Sequence, residues 1–262
     1  STVQITNSHR FSYPGYSEIL TGQAHDDEIK SNDKLRNPNP TVLEFLRRKL
    51  RVGPQKVAAF ASWDVIDWIV ESKPGTIASN TGYEKYENLD QQIADTNRLQ
   101  FEARTPWDSV RSDAYTFRFA MSHLRMYKPR VLYLGLGETD DWAHDQRYDR
   151  VLQTLQLTDN YLKQLWEFLQ SSPQYKNKTT ILITTDHGRG NTPADWHDHG
   201  SDVEGAQYIW LAAIGPDSRL LGEWRDSPTI YQNQIAATMS RLLGFDYSEQ
   251  NPNAGKPIEK LF

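Results

Sequence analysis

The chain has 262 residues, no cysteine, and 29 Lys and Arg against 34 Asp and Glu, for a net charge of −5. The missing cysteines exclude disulfides, thiolate metal sites and a cysteine nucleophile together, and mixed charge without a basic block argues against a nucleic-acid partner. No run approaches the ~20 apolar residues that span a bilayer, and the length suits one α/β domain over residues 1–262 with a substantial core.

In chain order, residues 1–7 are too polar for a signal peptide and too few for a strand of core length. The segment Arg10 to Gly22 reads as a short loop entering a helix, with Ser12 at its start and Ser17 along it. Helix is expected from Thr41 to Leu50, strand from Lys56 to Ser62 and helix from Asp64 to Glu71. Pro74-Gly75 then opens an irregular stretch, residues 72–107, with Asn80, Gly82 and Asn88 as turn formers. Trp63, Tyr83 and Tyr86 in and beside it are candidates to shape a pocket, although buried aromatics usually serve packing.

A helix from Asp108 to Met126, ended by Tyr127-Lys128-Pro129, leads into an apolar strand from Arg130 to Gly137. Val151, Leu155, Leu162, Leu165 and Leu169 recur at helical spacing, so Arg147 to Gln170 is a long amphipathic helix. It crosses back to a second strand, Thr179 to Thr185, in a right-handed strand, helix, strand unit with the two strands parallel. A last strand, Gln207 to Ile214, and a closing helix, Tyr231 to Leu243 with Gly244 as its C-cap, complete the chain.

The chemistry gathers after the two apolar strands. Asp140 and His144 stand four residues apart beyond the first, Asp186 and His187 follow the second, and Trp196-His197-Asp198-His199-Gly200 lies a short loop later. Imidazole and carboxylate are the donors that zinc-type ions take, and α/β sheets present ligands beyond the carboxyl ends of their strands. One Asp-x-x-x-His has a bland reading as a solvated loop histidine, and Asp186 one as a helix N-cap. Two such pairs, each directly after a strand, with a third histidine cluster nearby, point instead to a split metal site.

Asp140-x-x-x-His144, Thr185-Asp186-His187-Gly188 and His199-Gly200 together resemble the metal-binding motifs of the alkaline phosphatase superfamily, which includes nucleotide pyrophosphatases/phosphodiesterases, sulfatases and cofactor-independent phosphoglycerate mutases. The resemblance runs from about Ser8 to Phe245. It implies a three-layer α/β sandwich with a mostly parallel central sheet, two divalent ions, most simply zinc with manganese as the other choice, and a small phosphate or sulfate ester as substrate. Arg10-Phe11-Ser12-Tyr13-Pro14 is similar in spacing to the family's nucleophile segment, and the resemblance implies Ser12 as the nucleophile. By the same correspondence Asp140, His144 and His199 hold one ion, while Asp186, His187 and Ser12 share the other. Asp141 competes with Asp140 and His197 with His199; family spacing selects Asp140 and His199. The remaining histidines, His9, His25 and His123, receive no metal role.

The family carries a further ligand Asp at the end of its first core strand, and Ser1 to Asn7 holds no acid. The expectation is therefore a fold whose N-terminal strand is missing, with an upstream segment also carrying any export signal that would make the protein periplasmic or secreted. An unpaired sheet edge would then invite pairing with a second copy of the chain. Ser12-Tyr13-Pro14-Gly15-Tyr16 has Tyr16 where a sulfatase has Arg, and the interval from Gly22 to Arg130 is short for the mutase insertion. Phosphoester hydrolysis is thus the leading reading, with a sulfatase, a mutase-like enzyme, or an inactive metal-binding module as alternatives.

Overall fold

A computed structural model of the protein describes residues 2–87, 91–218, 222–225 and 228–262. Its elements run β1 (Val3–Gln4), α1 (Ser12–Thr21), α2 (Val42–Leu50), β2 (Val57–Ala61), α3 (Ile66–Ile69), β3 (Ala78–Thr81), α4 (Gln91–Glu102) and α5 (Asp113–Tyr127). They continue β4 (Val131–Gly135), α6 (Glu138–His144), α7 (Tyr148–Ser171), β5 (Ile181–Thr184), β6 (Tyr208–Ile209), β7 (Leu211–Ile214), β8 (Ile230–Tyr231) and α8 (Ile235–Leu242). These elements fall into two compact units, one of residues 1–32, 37–45 and 168–262, the other of residues 33–36 and 46–167.

The second unit is built on a parallel sheet in the order β3-β2-β4. Every residue of β2 is buried, as a central parallel strand requires when both of its faces are covered. Ala58 and Phe60 of β2 pack with Ile93 of α4 and with Phe119 and Ala120 of α5. Phe60 meets Tyr86 edge-on at 5.4 Å. Arg111 is wholly buried, and its guanidinium is spent on Asn80 Oδ1 (2.7 Å), the Asn80 carbonyl (3.1 Å) and Thr116 Oγ1 (2.8 Å). Burial lowers its pKa to about 9.

In the first unit β5 and β7 pair antiparallel, and β1 lies between β6, antiparallel, and β8, parallel. Val3, Leu182, Leu211 and Ala213 meet Ile230, Ile258 and Leu261 in the core beneath them. Phe45 sets its edge on Tyr247 at 5.3 Å.

Several expectations need correction. A two-residue strand does precede Ser12: Val3 and Gln4 extend between Ile209 and Ile230 on one side chain row and Tyr208 and Tyr231 on the next, although no acid sits on it. The interval 72–107 is more regular than its turn formers suggest, since it contains β3 and α4; Asn88 lies outside the described residues. Helix α5 starts at Asp113 because Ser112 Oγ accepts the Ala114 N–H (3.4 Å), while Val110 bridges to Trp63 and the Arg111 N–H donates to the Ser62 carbonyl (3.0 Å). Helix α3 is one turn, and a 3-10 turn over Gln232–Gln234 delays α8 to Ile235. The expected strand 207–214 breaks at Trp210. Finally, β4 finds its ladder partner in β2 and β5 finds its own in β7, antiparallel, in place of a parallel pair with each other.

Of the candidate pocket aromatics, Tyr86 donates its hydroxyl to His123 Nδ1 (2.8 Å) inside the second unit's core, and Tyr83 Oη pairs with Thr105 Oγ1 (2.9 Å). Both are partly buried, Tyr86 against the Phe60 and Phe119 cluster and Tyr83 against Phe101.

Candidate active site

Ser12 is the first residue of α1, entered through an extended Phe11. The first N–H groups of a helix have no partner within it, so Pro14 in that turn gives up nothing. The Tyr13 N–H is taken by Asn32 Oδ1 (2.9 Å). Eight of the ten residues of α1 are buried, which makes it a rigid carrier for the serine at its N-terminus. That end of a helix favours negative charge, as a phosphate brings.

Gly15 explains how α1 reaches the end of β5. A side-chain carbon there would overlap the Asp186 carbonyl, so only glycine lets the helix backbone rest on the strand end. The same strand end is also gripped by Gln232, whose amide donates to the carbonyls of Thr185 (3.0 Å) and Asp186 (2.8 Å). Gly188 then turns the chain where a Cβ would strike the Tyr208 carbonyl, and its N–H donates to Ala206 (2.8 Å).

These supports bring four of the expected residues together in the first unit. Ser12 Oγ lies 3.4 Å from His187 Nε2, and Asp186 Oδ2 lies 3.5 Å from the same nitrogen. The rings of His187 and His199 stack with centroids 3.8 Å apart. His187 Nδ1 faces the Gly188 carbonyl at 2.9 Å and His199 Nδ1 faces the Arg10 carbonyl at 3.3 Å. A carbonyl only accepts, so each Nδ1 is the donor in these pairs. Metal-binding histidines are oriented in this way, by donating their other N–H to a carbonyl or carboxylate. Together with the Asp186 carboxylate they form a donor set suited to a zinc-type ion.

His197 is occupied differently. Its Nδ1 lies 3.3 Å from Asp198, its carbonyl accepts from Arg189 at 2.6 Å, and its ring meets Trp196 edge-on.

In the second unit Asp140 and His144 lie on α6, a helix where a loop was expected, so the four-residue spacing puts both on one face. Asp140 Oδ2 is 3.3 Å from His144 Nε2, and both side chains are more than a third exposed. Acids in the first turn and a histidine in the last suit the helix dipole. The helix start is fixed by a reciprocal exchange with α5: Asp113 accepts the N–H of Gly137 (2.8 Å) and Glu138 (3.2 Å), while Glu138 Oε1 accepts the Asp113 N–H (2.7 Å) and the Ser112 hydroxyl (2.8 Å). Asp141, about 100° further round the helix, has its pKa pushed up to about 7 by burial first and then by the charge of Asp140.

Asn32, Gln232, Asp113 and Glu138 carry no signal in the sequence. Each acts through contacts 19 or more residues distant in the chain, and no local pattern marks them.

Comparison with known proteins places the chain in the alkaline phosphatase superfamily. Residues 17–227 match the model of type I phosphodiesterase / nucleotide pyrophosphatase, and the chain belongs to that family of phosphate ester hydrolases. Ser12 lies before the matched span, whereas Asp140, His144, Asp186, His187 and His199 lie within it. Among solved structures the chain is similar to the phosphonate monoester hydrolase SpPMH from Silicibacter pomeroyi, with 16% identity and a TM-score of 0.57 over 98% of this chain and 69% of that one. That likeness establishes the alkaline-phosphatase-like α/β fold. No curated protein sequence matches the chain.

Proposed function

We propose that the protein hydrolyses small phosphate esters, diesters or monoesters, with Ser12 as the attacking nucleophile and two divalent ions. The observation that carries this reading is the Ser12 hydroxyl at the N-terminus of a buried helix, 3.4 Å from His187 Nε2 and beside Asp186. Asp186 and His187 would hold one ion next to Ser12. Asp140 and His144 would serve the other. Bound zinc or manganese would lower the pKa of a coordinated hydroxyl and neutralise charge on the phosphoryl group.

The chain's own contribution is positional. Gly15 and Gln232 hold the strand end against α1, so Ser12 Oγ meets phosphorus along one fixed line. The α1 N-terminus offers its dipole to the phosphoryl oxygens. His187 and His199, locked by the Gly188 and Arg10 carbonyls, present their Nε2 atoms without having to reorient.

The test is hydrolysis of a chromogenic phosphodiester and phosphomonoester after loading with zinc or manganese. Ser12→Ala should lower kcat by roughly a thousandfold or more while the circular dichroism spectrum stays that of the parent. Undiminished turnover would move the nucleophile elsewhere.

A further inference from the structure

Glu18 lies in α1 and is completely buried, with its carboxylate turned back onto the loop that precedes the helix. Oε1 accepts the Thr6 N–H at 2.9 Å and the Thr6 hydroxyl at 2.8 Å. Oε2 accepts the Asn7 N–H and the Asn7 side-chain amide, both at 2.8 Å. Few carboxylates are taken out of water without a reason, because leaving one poorly solvated costs several kcal/mol. Here burial raises the Glu18 pKa while the four donors oppose the rise.

The contacts continue beyond Asn7, which is itself buried. Its Oδ1 accepts the Arg10 N–H at 2.9 Å and closes a turn in which Arg10 takes φ 56°, a left-handed backbone that a residue other than glycine rarely adopts. That conformation aims the Arg10 carbonyl at His199 Nδ1. Two residues later the chain enters α1 at Ser12. The loop from Thr6 to Arg10 is therefore cinched to the nucleophile's own helix, and the histidine 187 residues from Ser12 takes its hydrogen-bond partner from that loop.

We propose that Glu18 is a positioning residue for the hydrolytic site, fixing the orientation and tautomer of His199 through Asn7 and the Arg10 carbonyl. The proposal rests on the reading of Ser12 and His199 as parts of a phosphoesterase site. Glu18 touches no reacting atom; it decides which nitrogen of His199 keeps its lone pair.

The measurement is the tautomer of His199 in the metal-free protein, read from imidazole nitrogen shifts by NMR about two units above the free imidazole pKa of ~6.5. The parent should show the Nδ1-protonated form as the dominant species. Glu18→Gln puts an amide N–H against donors, and it should shift His199 to a mixture of tautomers and lower kcat by roughly 10–100-fold, the range for outer partners of metal-binding histidines. KM should stay within about twofold, because the loss falls on the reacting arrangement. Should Glu18→Gln fail to fold, Asn7→Ala keeps three of the four Glu18 donors, removes the Asn7 amide donor together with the acceptor for Arg10, and should produce the same shift. An unchanged Nδ1-protonated His199 in folded Asn7→Ala, or a parent in which that form is minor, would overturn the proposal. Absence of phosphate ester hydrolysis by the zinc- or manganese-loaded parent would instead sink the phosphoesterase reading, and the tautomer result would still decide the role of Glu18.

Discussion

Two glycines and two histidines show how little tolerance the candidate site has. Gly15 lets α1 rest directly on the Asp186 carbonyl, so Gly15→Ala must push the helix and Ser12 away from the strand end. Overpacking of this kind costs about 1–3 kcal/mol, and a misplacement near 1 Å at a reacting group costs roughly a hundredfold in rate. We expect Gly15→Ala to fold, to melt a few degrees lower, and to lose about two orders of magnitude in kcat. Steady-state kinetics beside a thermal melt would check this, and a variant with parental kcat would show that Ser12 does not depend on that contact. His187 and His199, by contrast, owe their orientation to what their Nδ1 atoms face. Their carbonyl partners are backbone atoms at Gly188 and Arg10, which no residue pattern could have named.

At the scale of elements, α5 shows how a histidine can be purely structural. His123 is completely buried on the face that packs on β2, with Nε2–H donating to the Gln55 carbonyl (2.9 Å) and Nδ1 accepting from Tyr86 (2.8 Å). Burial is the largest cause that lowers its pKa, with Lys56 adding to it against the Gln55 hydrogen bond. The folded state therefore holds this ring neutral while the unfolded chain protonates it near its ordinary value of 6.5. The stability it contributes is complete above that value and is lost progressively as pH falls below it toward the lowered folded pKa. Urea unfolding should show the midpoint dropping as pH falls from about 6.5, and His123→Gln should flatten that slope. A slope unchanged in the variant would assign the acid sensitivity to another group.

The same scale shows what could be read in advance. The runs 131–135 and 181–184 are apolar from end to end, and their strand character and the donors that follow them were plain. So was α7 as a 24-residue helix, although of its expected apolar face Leu169 is buried and Leu155 is exposed. Strand β3 was not, because Ala78-Ser79-Asn80-Thr81 carries no apolar alternation; it is a strand because β2 supplies the ladder and Arg111 binds Asn80. Helix α6 was hidden by its acids, which read as a loop but here satisfy the dipole and the exchange with Asp113. Strand pairing was the weakest inference, since the partner of β5 is β7, antiparallel. Periodicity reports which face of a strand is buried and says nothing of its neighbour.

For the molecule as a whole, the donors are divided between two compact units: Ser12, Asp186, His187 and His199 belong to one, Asp140 and His144 to the other. Each group is organised by its own unit, the first by Gly15 and Gln232 and the second by Asp113 and Glu138. Among the described residues no helix is long and apolar enough to cross a membrane. The family places the chain among phosphate ester hydrolases, and the account built on it stands or falls on metal binding by these donors.

The most direct measurement is metal content per chain by elemental analysis after loading with zinc or manganese and desalting, on the parent, Asp186→Asn and His144→Ala. The account predicts about two ions on the parent and about one on each variant, since each substitution removes a donor from a different ion of a two-metal site. Equal metal content in all three proteins would contradict it.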